Sequence, residues 1–264
     1  MNIIVLVKQV PDTTAIKIDK ETSTLIRVGV PNIINPDDLA AVEEALKLKE
    51  RYGGKVTTIT MGPPQAEAML RELYALGVDD AYLLTDRRFA GSDTWATSRI
   101  LSALLEELQF DLIIAGYQAI DGDTAQVGPQ VAEFLNIPQV THLHQIVGLD
   151  KHELIVVKQT DYELETLAVT LPALITVRRE MNEPRFMNAF DLWNCFDKEL
   201  HIKTFDDLNL ELQHIGLAGS PTRVKKTYTR PVMTKAAKEV MEPEAAAKKI
   251  VDLLYPYMEV KNHG

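Results

Sequence analysis

The sequence predicts an α/β fold: a doubly wound, mostly parallel sheet with added antiparallel strands and a C-terminal arm. Three observations carry this expectation. Strand-like apolar stretches at Ile3 to Lys8, Lys55 to Met61, Ala81 to Leu84 and Leu112 to Ala115 are each followed by residues with helical apolar spacing, and strand–helix repetition implies a parallel sheet. After Gln139 the apolar runs succeed one another without helices between them, as antiparallel strands do. Residues 201 to 264 hold only short apolar pieces among Pro221, Pro231, Pro243 and Pro256, with one alanine-rich helix near Glu244 to Leu254. The expected organisation is therefore an α/β domain over 1–200 and an arm over 201–264.

Each element has a local reason. Pro11-Asp12 turns the chain out of the first strand, and Ile16, Ile18 and Leu25, Ile26, Val28 flank a polar Asp19 to Thr24 turn, which reads as a hairpin excursion. Asn35-Pro36-Asp37-Asp38 opens a helix, with Asn35 as N-cap, Pro36 at the first helical position and acids against the dipole. Gly53-Gly54 ends it. A second helix runs through Met69, Leu73 and Leu76 to Gly77, and a third, entered at Asp93-Thr94, carries Ile100, Leu101, Leu104, Leu105 and Leu108. A fourth places Val127, Val131, Phe134 and Leu135 on one stripe and stops at Asn136-Ile137-Pro138. Asp123 followed by Gln126 resembles a capping box, which places the start of that helix at Asp123 or Thr124. Leu154 to Val157, Leu164 to Val169 and Ala173 to Val177 read as the antiparallel section.

The composition excludes several functions. A net charge of −10 argues against a nucleic-acid surface, which needs clustered basic residues. The single cysteine, Cys195, allows no internal disulfide and fits a reducing cytoplasm, with no iron–sulfur cluster held by this chain alone. No apolar run reaches membrane-spanning length, and the N-terminal run reads as a strand, not a signal peptide.

In a doubly wound sheet ligands sit at the carboxyl ends of the strands. The loops Lys8 to Val10, Met61 to Pro63, Ser92 to Thr94 and Gly116 to Thr124 converge there, which points to a nucleotide site. Helix N-termini offer free N–H groups to phosphate, and Gly116, Gly122 and Gly128 would let backbone approach a ligand. Asp121 and Asp123 would repel a diphosphate unless one caps the helix and the other binds ribose or ring donors; the spacing equally allows both to be caps. G-x-G-x-x-G, Walker A, a nucleophile elbow and H-E-x-x-H are absent, so no catalytic and no metal-binding residue is assigned. His142 and His144 alternate on a strand-like stretch, would share one face, and read as surface residues. A nucleotide site without catalytic side chains leaves the chemistry to the cofactor. The cluster of Phe186, Met187, Phe190, Leu192 and Trp193 reads as core by its apolar spacing, or as a docking patch if exposed.

Six motifs in order are similar to the beta subunit of electron-transfer flavoproteins: Val5-Leu6-Val7-Lys8-Gln9-Val10-Pro11-Asp12, Asn35-Pro36, Met61-Gly62-Pro63, Gly116-Tyr117-Gln118-Ala119-Ile120-Asp121, Leu164-Glu165-Thr166-Leu167 with Leu171-Pro172-Ala173, and Asn182-Glu183-Pro184-Arg185-Phe186. The resemblance implies an adenine-nucleotide-hydrolase-like sheet and a heterodimer with an alpha subunit carrying FAD, on which the 201–264 arm packs. It implies a nucleotide held by Leu6, Val7, Lys8, Asn35, Met61, Gly62, Asp93, Thr94, Gly116, Gln118 and the run Asp121, Gly122, Asp123, Thr124, Ala125, Gln126, Val127 and Gly128. Small residues at Gly122 and Ala125, and Asp93-Thr94 after Gly91-Ser92, resemble the electron-bifurcating version. There the nucleotide is FAD, taking a hydride from NADH and dividing its electrons between ferredoxin or flavodoxin and a flavin-dependent dehydrogenase. The respiratory version holds structural AMP. An ATP-binding α/β protein is a further alternative, lowered by the absence of a Ser-Gly-Gly loop after Lys8. Residues 182–196 correspond to the family's recognition loop, with Met187, Ala189, Phe190 and Leu192 as expected partner contacts and Ala189 standing where the family has a leucine.

Overall fold

The computed structural model describes residues 1–12, 17–18, 25–26, 31–223 and 238–258. They form two compact units, Met1–Lys225 and Lys226–Gly264. The first unit thus continues past the boundary expected at residue 200.

In chain order the first unit contains β1 (Asn2–Leu6), β2 (Gln9–Pro11), β3 (Lys17–Ile18), β4 (Leu25–Ile26), β5 (Asn32–Ile34), α1 (Pro36–Tyr52), β6 (Lys55–Met61), α2 (Glu67–Ala75), β7 (Asp80–Leu84) and α3 (Thr94–Leu105). There follow β8 (Leu112–Gly116), α4 (Val127–Phe134), β9 (Gln139–Asp150), β10 (Glu153–Gln159), β11 (Leu164–Thr170), β12 (Ala173–Val177), α5 (Ala189–Asn194), β13 (His201–Lys203) and α6 (Gly216–Gly219). The expected hairpin is present as β3 paired with β4, Lys17 opposite Ile26; Ile16, Val28 and the Asp19 to Thr24 turn lie outside the described residues.

Among the described residues the main sheet has the order β11-β10-β9-β12-β8-β1-β6-β7-β13. Every pairing from β9 to β13 is parallel, and β10 and β11 are antiparallel. The expected fold class is therefore observed, with one correction inside it. Ala173–Val177 does not belong to the antiparallel section: it runs parallel between β8 and β9. All five of its residues are buried, as a strand covered on both faces requires, whereas β11 alternates toward exposed positions. β9, unassigned from sequence, supplies the neighbour. It carries a bulge where His142 adopts φ 58° and donates its N–H to Thr176 Oγ1 at 3.2 Å.

β1 divides the core. Ile3, Val5 and Val7 pack with α1 and α2 on one face, while Ile4 and Leu6 pack with α3 and α4 on the other. This period-two alternation is what a strand clad by helices on both sides produces. Truncating a fully buried residue such as Leu70 or Ile114 to Ala would cost about 2–5 kcal/mol. α1 ends as its sequence suggests: Gly53, at φ 71°, returns its N–H to Lys49 O at 2.8 Å. The order in which strands are added to the sheet reverses between β1–β6–β7 and β8–β12, which leaves a crevice at the carboxyl ends of β1 and β8.

In the second unit the described element is α7 (Pro243–Met258), with Pro256 inside it and a Lys249–Glu239 ion pair beside it. Among the described residues no helix is long and apolar enough to cross a membrane.

Candidate functional site

A cavity of about 370 Å³ occupies that crevice. Leu6, Val7 and Lys8 from the end of β1, Ile59 and Met61 from β6, and Ala115 and Gly116 from β8 form its back. The first turns of α3 and α4 and the loop 117–126 form its sides.

The N-terminus of α1 assembles this region. Asn35 occupies the N-cap position, yet its side chain does not cap the backbone of its own helix. Instead its Nδ2 donates to Gln118 O at 2.8 Å and its Oδ1 accepts from Ile120 N–H at 3.1 Å. Asp37 accepts from Gln118 N–H (3.3 Å) and from Arg179 N–H (3.0 Å). Asp38 accepts from Lys8 N–H at 2.8 Å. The acids read as partners of the helix dipole thus also terminate three neighbouring strands. Asp38 is buried, and burial pushes its pKa up to about 7 against the opposing hydrogen bonds from Asn35, Lys8 and Gly116. Gly116 makes this seat available: a Cβ there would overlap the Asp38 carboxylate and come within 2.8 Å of the Asp38 nitrogen.

Across the cavity, Lys8 Nζ donates to both carboxylate oxygens of Asp121, at 2.9 and 2.7 Å. Gln118 Nε2 donates to Asp123 Oδ1 at 3.1 Å. Neither acid caps α4, and this corrects the capping-box expectation. Asp123 and Ala125 stand in the left-handed region (φ 49° and 55°), so the helix cannot begin at 123 or 124; it begins at Val127 with Gln126 at the N-cap position and no side-chain cap. Gln126 is otherwise engaged, since its Oε1 accepts from Thr94 Oγ1 at 2.8 Å. That bond ties the first turns of α3 and α4 together at one wall. Asp93 does cap α3, accepting from Ala96 N–H at 3.0 Å.

Of the eighteen residues expected around the nucleotide, fifteen line the cavity: Leu6, Val7, Lys8, Met61, Asp93, Thr94, Gly116, Gln118, Asp121, Gly122, Thr124, Ala125, Gln126, Val127 and Gly128. Asn35, Gly62 and Asp123 do not line it; Asn35 and Asp123 brace its loop, and Gly62 N–H is bonded to Leu84 O at 3.0 Å. Gly128 lets α4 press onto the sheet, because a Cβ there would lie 3.0 Å from Thr176 Cγ2. At Gly122 a Cβ would meet nothing within 4 Å among the described residues. Asp38, Ile59, Thr97, Leu101 and Ala115 also line the cavity without having been expected there, and Ser92, Tyr117 and Ala119 line it as members of loops expected at the crevice but not named individually. Ile59, Leu101 and Ala115 carry only a core signal, while Tyr117 and Ala119 sit inside the quoted Gly116–Asp121 motif and could have been taken from it.

Tyr117 is one of the lining side chains with aromatic and cationic neighbours. The Arg178 guanidinium lies 4.9 Å from its ring centre and the His142 ring 4.4 Å away. Burial, and then the charges of Arg178 and Lys158, hold His142 below its ordinary pKa, so it is neutral at pH 7. His144 is exposed, whereas His142, at the bulge, is half-buried. Among the described residues no group of His, Cys, Asp or Glu could hold a metal ion.

A second region contrasts with the cavity. Phe186, Phe190 and Trp193 are 96%, 77% and 84% exposed, and Met187, Ala189, Leu192 and Phe196 are exposed beside them. The reading of this cluster as core is overturned. Its ends are fixed. Arg185 bonds Glu43 and Glu50 of α1, and Asn182 Nδ2 donates to Ala40 O at 2.9 Å. At the other end Arg71 of α2 donates to the carbonyls of Cys195 and Lys198, at 3.0 and 2.7 Å. The short helix α5 thus lies against α2 with its apolar side chains exposed.

Comparison with known proteins agrees with this architecture. The family model described as "Electron transfer flavoprotein domain" matches residues 22–192. Similar relatives include the electron transfer flavoprotein subunit beta of Thermoanaerobacterium thermosaccharolyticum, 53% identical over 230 residues, covering 87% of this chain and 88% of that protein. That of Clostridium acetobutylicum is 50% identical over 250 residues, 94% of this chain and 95% of that one. The caffeyl-CoA reductase-Etf complex subunit CarD of Acetobacterium woodii is 47% identical over 233 residues, covering 88% of each. The chain therefore belongs to the electron transfer flavoprotein family, as a beta subunit.

Proposed function

We propose that the cavity holds FAD and that reducing equivalents from NADH enter the complex through this chain. The observation that carries the reading is the pair of helix N-termini, α3 and α4, tied by Thr94–Gln126 at one wall of the cavity. The first turn of α4 carries no side-chain cap, and its N–H groups remain for a diphosphate. The two nearby acids do not oppose this, since Lys8 and Gln118 hold them. Gly122, with open space where a Cβ would be, suits close approach of a ligand larger than AMP. The 47% identity to a subunit of a complex named for caffeyl-CoA reductase supports the same choice.

In this reading Lys8 and the N–H groups of α4 bind the diphosphate, the 117–126 loop orients the nucleotide, and Asn35, Asp37 and Asp38 keep that loop from shifting. Tyr117, backed by Arg178 and His142, excludes water from the wall it lines. When bound, the flavin would supply hydride acceptance from NADH and deliver its two electrons separately, one to ferredoxin or flavodoxin and one, through the FAD of an alpha subunit, to a flavin-dependent dehydrogenase. The bare side chains of α5 and its flanks, Met187, Ala189, Phe190 and Leu192 with Phe186 and Trp193, form the docking patch for that dehydrogenase. α7 carries Ile250, Val251, Leu253, Leu254, Tyr255 and Tyr257, more apolar surface than one helix buries alone, and packs on the alpha subunit.

The test is a count of cofactors in the heterodimer purified with its alpha subunit. Two flavins per heterodimer, both bleached by NADH, are expected. One flavin with one AMP, or two flavins indifferent to NADH, would overturn the reading.

A further inference from the structure

The stretch from Gln213 to Arg223 gives no sequence signal of proximity to the cavity, yet it is laced to the loop that leads into α3. Ser92 Oγ accepts from Gly216 N–H at 3.1 Å, and Leu217 N–H donates to Ala90 O at 3.2 Å. Gly91 takes φ 77°, and a Cβ there would lie 3.0 Å from the Cβ of Leu217, so the two backbones are in close contact. Ser220 is buried; its Oγ accepts from Asp93 N–H at 2.8 Å and donates to Gly216 O at 2.7 Å. The last tie is to the Asp93 carboxylate. While Oδ1 caps α3, Oδ2 receives both the N–H and the hydroxyl of Thr222, at 2.9 and 2.7 Å.

Asp93 lines the cavity, so its charge lies in the wall beside whatever is bound there. A bare carboxylate at that wall would repel a diphosphate and would be free to leave the N-cap position. With both oxygens engaged, the charge is spread over three donors and the side chain is locked. We propose that Thr222 is a positioning residue for the anionic part of the bound nucleotide. It answers the Asp93 charge with two hydrogen bonds and fixes the cap, so that Thr94 and the first turn of α3 stay aimed into the cavity. Thr222 stands just before the junction of the two compact units at Lys225 and Lys226, so the wall of the cavity is fastened by the last residues of the first unit. The inference rests on the nucleotide reading of this cavity. Burial raises the Asp93 pKa, and the donors Ala96 and Thr222 more than offset it, leaving the group below its ordinary value and ionised at neutral pH.

The experiment uses the heterodimer with its alpha-subunit FAD in place and the second nucleotide removed, titrated with FAD and separately with AMP. Thr222→Val, which keeps the N–H and loses the hydroxyl, is expected to weaken binding about tenfold, the worth of one hydrogen bond to a charged group. Thr222→Ser restores the hydroxyl and should bind within about twofold of the parent. Binding by the valine variant should also become dependent on ionic strength, as an uncovered charge requires. Parent-like binding by Thr222→Val, or a loss in Thr222→Ser as large as in Thr222→Val, overturns the inference and leaves the nucleotide reading intact. If the parent binds neither nucleotide, both fall.

Discussion

The cavity and the apolar helix α5 are both anchored to α1, and they follow opposite rules. Around the cavity the charged and polar groups are matched: Asn35 and Asp37 against Gln118, Asp38 against Lys8, Lys8 against Asp121, Thr94 against Gln126. On α5 the ends are tied by Arg185 and Arg71, and the middle displays Phe190 and Trp193, 77% and 84% exposed among the described residues. A region that must hold a polar ligand in one orientation gains from a rigid, satisfied wall, because an unanswered buried donor or acceptor costs about 1–3 kcal/mol. A region that must seize and release another protein gains from bare apolar area on a fixed frame, because the transfer of that area from water drives the association.

The difference can be broken most severely at Gly116. Gly116→Ala puts a methyl group into the Asp38 carboxylate and the backbone of Asp37 and Asp38, which cannot yield as a flexible side chain would. A loss of about 3 kcal/mol in chemical denaturation is expected, at the upper end for overpacking, together with loss of the bound nucleotide. Wild-type stability in that variant would show that the seat is loose.

Asp38 sharpens the comparison through pH. Its folded-state pKa, about 7, lies above the ordinary carboxylate value of 3.8, so the folded chain holds this proton more tightly than the unfolded chain. Its contribution to stability is complete below about pH 4 and is lost as pH rises toward 7. Asp38→Asn can still accept from Lys8 N–H and should flatten that part of the stability profile. An unchanged slope between pH 4 and 7 would place the titration elsewhere.

At the other region the smallest effect on stability goes with a clear effect on binding. Phe190→Ala and Trp193→Ala should each shift unfolding by no more than about 0.5 kcal/mol, since the side chains touch water. Affinity for the partner dehydrogenase, measured by calorimetry, should fall by about 2 kcal/mol. Equal losses in stability and affinity would return these residues to the core.

How much of this could be read from residues alone varies by element. The strand at Leu112 to Gly116, the helix opening at Asn35-Pro36, the stop at Gly53 and the convergence of strand ends on one crevice follow from local patterns, and all are present. The capping box at Asp123 failed because its rule assumes that nothing distant competes for the acid. Here Gln118 takes Asp123, and Lys8, 113 positions from Asp121, takes the other carboxylate. Left-handed backbone at Asp123 and Ala125 gave no warning, since neither is glycine, while Gly122 beside them does not need it. β12 was misassigned for a related reason: its apolar run fits any strand covered on both faces, and only its neighbours decide direction.

By itself the sequence determined the period of each strand and helix, the order of the elements and the family motifs, because those depend on contacts within a few residues. The tertiary structure decided which acids are neutralised, where α4 begins, and that Thr222 reaches Asp93 across 129 positions. It also decided that the aromatic run at α5 faces outward. Those outcomes are competitions between distant groups for the same hydrogen bond or the same buried area, and they are settled only when the chain is folded.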